Sequence, residues 1–193
     1  VVDNASNRKL ARQRQLKKLV ELNPFLTDKD LSEMLQVSVP TIRLDRSELN
    51  IPEYRDRISK MARTSYKKIQ SLETEDIVGQ LVDLKLGEEA VSYLETTNEM
   101  TFTKTNIIRG IHLFAQANAL AAAIMDAPLA LTGSASVRYL RPVKMGERLI
   151  CRGFVKRSRE KQLYIDVNTW VDEEKVFEGT FLIFASKEDD HDC

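Results

Sequence analysis

The sequence predicts an α+β chain. It has an all-α N-terminal helix-turn-helix domain, a linker helix, and a C-terminal antiparallel sheet wrapped on one central helix. Three observations carry that prediction. Apolar residues recur at helical spacing up to about residue 72, strand-like alternation takes over after residue 75, and one run, His112–Asp126, is apolar almost all round. The expected divisions are 1–52, 53–75 and 76–193.

Composition narrows the class. The 193 residues hold 29 basic and 29 acidic side chains, with 42% apolar and 30% charged residues, an ordinary balance for a globular protein. No apolar run approaches the roughly 18–20 residues that span a bilayer. The basic first twenty residues lead into no apolar segment, so no secretory signal and no membrane partner are expected, and a reducing cytoplasm is the expected home. The chain starts at Val1 rather than Met, so residues upstream of it are expected. Cys151 and Cys193 make neither a disulfide framework nor a metal site, and no cofactor is expected. The zero balance hides a split: residues 1–70 hold 15 basic and 9 acidic side chains, leaving the remainder net acidic. A basic segment joined to an acidic domain suggests nucleic-acid binding; a solvated basic helix with no partner is the alternative.

Leu10, Leu16, Leu19 and Val20 form one face of a first helix over 8–22. Thr27 can cap a second, with Asp28 and Asp30 in its first turn and Leu31, Met34 and Leu35 as its buried stripe. Ser38 can cap a third, with Pro40 in its first turn and Ile42, Leu44 and Leu49 directed inward. Two short helices about a tight turn, the second with Thr and Arg near its start, fit a major-groove reader; a small bundle with incidental arginines is the alternative. The stretch from Leu31 to Arg46 resembles the helix-turn-helix of DeoR-type bacterial regulators, departing from it by placing Arg46 where Leu is common. Ser38, Thr41 and Arg43 are the candidates for contact with bases or phosphates. Arg46 is a further one that can instead pair with a neighbouring acid. Arg8, Lys9, Arg12 and Arg14 can follow the DNA backbone or enter a minor groove. Residues 53–72 read as one amphipathic helix, with Tyr54, Ile58, Met61, Ala62, Ile69 and Leu72 on a narrow stripe. That stripe needs a partner, its twin in a dimer or the next domain, unless the helix is a passive spacer.

Strands are expected over 76–86, 90–96, 131–140, 147–159, 162–172 and 175–184, the last three as a meander, with a loop over 97–110 before the buried helix. This order, around a helix rich in small residues, resembles the hot-dog fold of acyl-CoA thioesterases and dehydratases. Units of that fold usually pair, so a homodimer is expected, and a two-fold axis suits a palindromic DNA site. Thioester hydrolysis in that fold generally needs a carboxylate in or beside the central helix. Aligned on the common thioesterase pattern, the acid position falls on Asn118, which can orient a carbonyl but is no general base, and no Asp or Glu lies between Gly110 and Met125. No catalytic residue is therefore assigned; His112 reads as structural. Arg109, just ahead of the helix, is costly in a tunnel unless a carboxylate pairs with it. Malonyl-CoA is the common short acyl-CoA ending in one. An internal ion pair with Glu99 or Asp126 is the alternative.

Residues 23–53, NPFLTDKDLSEMLQVSVPTIRLDRSELNIPE, and 102–121, FTKTNIIRGIHLFAQANALA, carry a further resemblance that extends over the whole chain. The sequence resembles the FapR family, bacterial repressors of fatty acid and phospholipid synthesis genes. The resemblance implies a DeoR-like domain, a linker helix and a hot-dog effector domain in a homodimer on double-stranded operator DNA. It also implies release by malonyl-CoA or malonyl-acyl carrier protein. Matched residue by residue, Phe102, Arg109, Gly110, Asn118 and Leu131 fall around the malonyl and pantetheine groups, with Arg109 on the malonate carboxylate. Two other readings remain: an acyl-CoA thioesterase with a DNA-binding appendage, and a DNA-binding protein whose hot-dog only dimerises.

Overall fold

The structure, a computed structural model, describes residues 2–72 and 74–186, without the side chains of 2–6 and 74. Cys193 lies outside the described residues. The chain forms two compact units that divide between Lys60 and Met61.

The first unit is helical. Helix α1, Val2–Leu22, begins earlier than the apolar spacing indicated, followed by α2, Asp28–Leu35, and α3, Val39–Glu48. Leu16, Val20, Leu31 and Ile42 make its buried core, with Leu19, Leu35 and Leu49 packed around it. The expected caps are present. Thr27 Oγ1 accepts from the Asp30 N–H while the Asp30 carboxylate accepts from the Thr27 N–H, and Ser38 Oγ accepts from the Thr41 N–H. Three apolar residues assigned inward face water instead: Leu10 is 50% exposed, Met34 54% and Leu44 66%.

Helix α4, Tyr54–Tyr66, crosses the division and ends six residues before the expected helix would. Lys67 to Leu72 leave the helix, and Ile69 and Leu72 pack into the second unit's core as turn residues, so their helical spacing is incidental. In the first unit, the buried Arg57 guanidinium donates to the carbonyls of Pro24, Leu26 and Pro52. Burial lowers its pKa, and the nearby Arg46 adds to the effect. In the second unit, the Tyr66 hydroxyl donates to the Gly79 carbonyl, and buried Ser71 Oγ donates to the Ala122 carbonyl at 2.9 Å.

The second unit is a six-stranded antiparallel sheet in the order β1-β2-β4-β5-β6-β3. Its strands are β1, Gln80–Lys85, β2, Glu89–Glu95, β3, Leu129–Tyr139, β4, Arg148–Arg159, β5, Gln162–Val171, and β6, Glu174–Ser186. The expected meander is β4-β5-β6. Residues 76–79, assigned to the first strand, form a short 3₁₀ turn and a bend instead. Helix α5, Gly110–Ala123, lies on the inner face, where odd-numbered residues of β5 from Leu163 to Val171 are buried. Gly153 lets it approach: a Cβ there would sit 3.0 Å from Ile124 Cδ1. One row facing α5 is polar. Ser92, Cys151 and Thr169 align across β2, β4 and β5, and Gln116 Nε2 donates to Ser92 Oγ at 3.1 Å. Burial there pushes the Cys151 thiol up to about 12.

Arg57→Met, which keeps the alkyl packing and removes the guanidinium, takes their shared donor from the carbonyls of Pro24, Leu26 and Pro52. It should destabilise the helical unit by about 2–3 kcal/mol, read as a shift in urea midpoint followed by helical circular dichroism. An unchanged midpoint would mean that those carbonyls find other donors.

Candidate functional site

The eight basic and hydroxyl residues singled out in the helical unit separate into two groups. Arg8 and Arg14 are exposed on α1, and Arg43 is exposed on α3 with Nε 3.4 Å from Asp28. The others are engaged within the unit. Lys9 pairs with Glu48 at 2.7 Å, and Arg12 grips Asp45 through two hydrogen bonds of 2.6 and 3.1 Å, with Gln13 donating to both acids. Burial alone would raise the Asp45 pKa, but the bonds from Arg12 and Gln13 outweigh it and hold the carboxyl below its ordinary value. Arg46 is buried, donating to both oxygens of Asp28 at 2.6 and 2.9 Å and to the Ile51 carbonyl. This is the internal pairing the sequence left open. Ser38 and Thr41 share a 2.9 Å hydrogen bond in the cap of α3. The outward stripe of α3 is Pro40, Arg43, Leu44 and Ser47, so Leu44 belongs to the face available to a partner and not to the core.

In the second unit, the loop before α5 folds back on itself. Thr101 and Ile108 form an antiparallel bridge, the Phe102 N–H donates to the Ile107 carbonyl, and the Arg109 N–H donates to the Met100 carbonyl. This sets Phe102, 54% exposed, opposite Ile107, and Arg109 opposite Met100 at the start of α5. Arg109 is the N-cap residue of α5 and supplies no side-chain cap, leaving the first-turn N–H groups of a buried helix uncapped by its side chain. Its guanidinium donates to the carbonyls of Glu99 at 2.9 Å and Met100 at 3.4 Å, and lies 3.2 Å from His112 Nε2. These are neutral acceptors. Among the described residues no carboxylate pairs with Arg109, and the expected alternative of a Glu99 carboxylate is replaced by the Glu99 main chain. The guanidinium is exposed in the single chain, so the burial penalty invoked from the sequence does not act on it there. His112 accepts from Arg109 at Nε2, which puts its own proton on Nδ1. Burial and the adjacent cation lower its pKa.

The Gly110 carbonyl accepts from the Tyr139 hydroxyl at 3.2 Å, and a Cβ at Gly110 would meet the Tyr139 ring at 2.9 Å. Gly110, Leu113, Tyr139, Leu140 and Pro142 line part of a mainly apolar cavity of about 400 Å³, within the range of small-ligand sites. Asn118 and Leu131 form a second group. Asn118 Oδ1 accepts from Thr132 Oγ1 at 2.7 Å, and Leu131, 51% exposed, precedes that threonine on edge strand β3. Eight residues of helix put Asn118 about 12 Å along α5 from Gly110, so within one chain the five residues lie in two places.

The comparisons with known proteins divide along the same line. Residues 109–178 match the model of the Thioesterase superfamily. A solved structure of an uncharacterized protein from Pyrococcus horikoshii is 28% identical, with a TM-score of 0.56, over 60% of this chain and 88% of its own. A Streptococcus mutans protein solved bound to acetyl CoA is 18% identical, with a TM-score of 0.51, over 55% of this chain and 86% of its own. Transcription factor FapR of Caldanaerobacter subterraneus subsp. tengcongensis is 44% identical over 94% of this chain and 90% of that protein. The FapR of Halalkalibacterium halodurans is 44% identical over 94% and 98%.

The chain belongs to the FapR family of transcription factors. As a member of a family of transcription factors it binds DNA, and its second unit has the hot-dog fold. Three features of its sites escaped sequence reasoning. Leu44 was indistinguishable from a core leucine by spacing alone. The contact of His112 with Arg109 is an i, i+3 pair that could have been found from helical spacing. Tyr139 acts on the main chain of Gly110, for which sequence holds no signal.

The Arg109–His112 contact makes a pH prediction. His112 should titrate below the ordinary value near 6.5 by proton NMR of its C2–H, and Arg109→Gln, which removes the positive charge, should move its midpoint upward. A midpoint at or above the ordinary value, or one unmoved by the substitution, would remove the contact from the account.

Proposed function

We propose that this FapR-family protein represses fatty acid and phospholipid synthesis genes in the cytoplasm. It binds a palindromic operator as a homodimer and leaves it when malonyl-CoA or malonyl-acyl carrier protein occupies the start of α5. The observation that carries this reading is Arg109: a permanent cation at a helix start that its side chain does not cap, with only neutral partners, next to an apolar cavity. A short acyl thioester ending in a carboxylate supplies the missing anion and an apolar arm. The acetyl CoA held by the Streptococcus mutans protein of the same fold supports a CoA-type ligand.

Pairing supports the division of the five effector residues. Strand β3 is a sheet edge of 11 residues, exposed from Leu131 to Ser136. An unpaired edge of this length is a template for another strand. Two β3 edges joined about a two-fold axis give each ligand Phe102, Arg109 and Gly110 from one protomer and Asn118 and Leu131 from the partner. On the DNA side, Arg8, Arg14 and Arg43 are the exposed cations among the eight residues singled out, Arg43 also lying 3.4 Å from Asp28, and the linker over 53–75 carries the change of state. The absence of any Asp or Glu from α5 supports a sensor rather than a thioesterase.

Arg109→Ala should bind operator DNA as the wild type does and ignore malonyl-CoA, while wild-type protein is released by malonyl-CoA and not by acetyl-CoA in a gel-shift titration. A hundredfold change in DNA affinity corresponds to about 2.7 kcal/mol of coupling. Normal release of the variant would overturn the role of Arg109. Free thiol produced from malonyl-CoA or acetyl-CoA by the wild type above the blank would favour the thioesterase reading.

A further inference from the structure

We infer that Leu44 is a specificity-determining residue of the DNA-reading face, its side chain contacting the C5-methyl group of a thymine in the major groove. The inference rests on the DNA binding described above and deepens it. Of the side chains on the outward stripe of α3, Pro40, Arg43, Leu44 and Ser47, only Leu44 is large and apolar, and it is 66% exposed. The remaining polar side chains of the helix are committed elsewhere. Ser38 and Thr41 bond each other in the cap, Asp45 is held by Arg12 and Gln13, Arg46 is buried on Asp28, and Glu48 takes Lys9 and Gln13. The stripe therefore presents one guanidinium, one isobutyl group and one hydroxyl. A guanidinium and a hydroxyl can meet phosphates or base acceptors. The isobutyl group has one complementary feature on the floor of a major groove, the thymine methyl, which cytosine lacks. A leucine turned to water gains nothing from folding, whereas against that methyl it removes apolar surface of both from water.

The occupant is duplex DNA, on the evidence of the exposed Arg8, Arg14 and Arg43 of the same unit. The choice between a phosphate-facing and a base-facing role for Leu44 follows from its chemistry, since a phosphate offers nothing to a hydrocarbon.

The test uses the full chain and a pool of random duplexes from which bound sequences are selected. In the wild-type consensus, each thymine is replaced in turn by deoxyuridine, which differs only by the methyl. One replacement should lower wild-type affinity about 3–5-fold, the worth of one buried methyl. Leu44→Ala should bind the thymine and deoxyuridine duplexes equally, and Leu44→Met should keep part of the discrimination. Because the side chain lies outside the core, circular dichroism of Leu44→Ala should match the wild type. A consensus with no methyl-dependent position, or the same discrimination in Leu44→Ala, overturns the assignment to Leu44 alone. Failure of the wild type to enrich any sequence overturns the sequence-specific DNA reading on which it stands.

Discussion

Helix α5 lies under the inner face of an antiparallel sheet, and that burial constrains most of the second unit. The side chains it turns toward the sheet are small or apolar except at Gln116, whose amide is bonded to Ser92, and Ala117, Ala121, Ala122 and Ala123 are all under 5% exposed. The sheet answers with Gly153, where the two surfaces meet most closely. A helix so enclosed can meet solvent only at its ends and along the flank beside β3. Its C-terminal carbonyls are used by Ser71 and by the Gly87 N–H. Its N-terminus opens beside Arg109, where two sources of positive potential coincide: the aligned peptide dipoles and the guanidinium. The packing of the core thus fixes where the positive end of the helix meets solvent.

Charge is handled differently in the helical unit. Its excess of cations would suggest a broad basic surface, yet Lys9, Arg12, Arg46 and Arg57 are all tied to acids or carbonyls of the unit itself. The core here is four buried residues with six partly buried ones around them. So small a core leaves much of the geometry to polar links, and a buried Arg on a carboxylate or on stranded carbonyls is costly to break on one side. Lys9, Arg12 and Arg46 therefore link α3 to its neighbours, Arg57 ties the segments before α2 and α4, and Arg8, Arg14 and Arg43 are presented outward.

Much of this was legible in the sequence and some was not, for identifiable reasons. The caps at Thr27 and Ser38 were readable because capping is local chemistry, and the sheet and its helix because alternation and a continuous apolar run are different periods. The length of α4 was not: Ile69 and Leu72 sit at helical spacing from Met61 and Ala62, but they are buried by the core of the second unit, and burial looks alike from either conformation. The place of Arg109 just ahead of α5 was readable because the start of the helix is set by sequence. Its partners were not, because the Glu99 and Met100 carbonyls reach it through a folded loop. Arg46 and Leu44 exchanged their expected places, the charged residue going in and the apolar one out, since neither an ion pair over 18 residues nor the helix's rotation is marked in a stretch this short.

Under the proposed function, the exposure of Arg109 bears on how a ligand could act. An ion pair in water at an exposed guanidinium is worth at most about 1 kcal/mol. A hundredfold shift in DNA affinity needs about 2.7 kcal/mol of differential binding between two states. The carboxylate contact made on an open surface therefore falls short by more than half. The difference has to come from apolar surface removed from water along the acyl and pantetheine arm and from a lower effective dielectric around the pair. Both require a wall on the open side of Arg109. The chain itself provides none, and the exposed stretch of edge strand β3 from Leu131 to Ser136 is where a second copy would provide it. The proposed pairing of two chains is then supported by energy as well as by symmetry, because on that proposal a single effector unit holds the anion without making its arrival count.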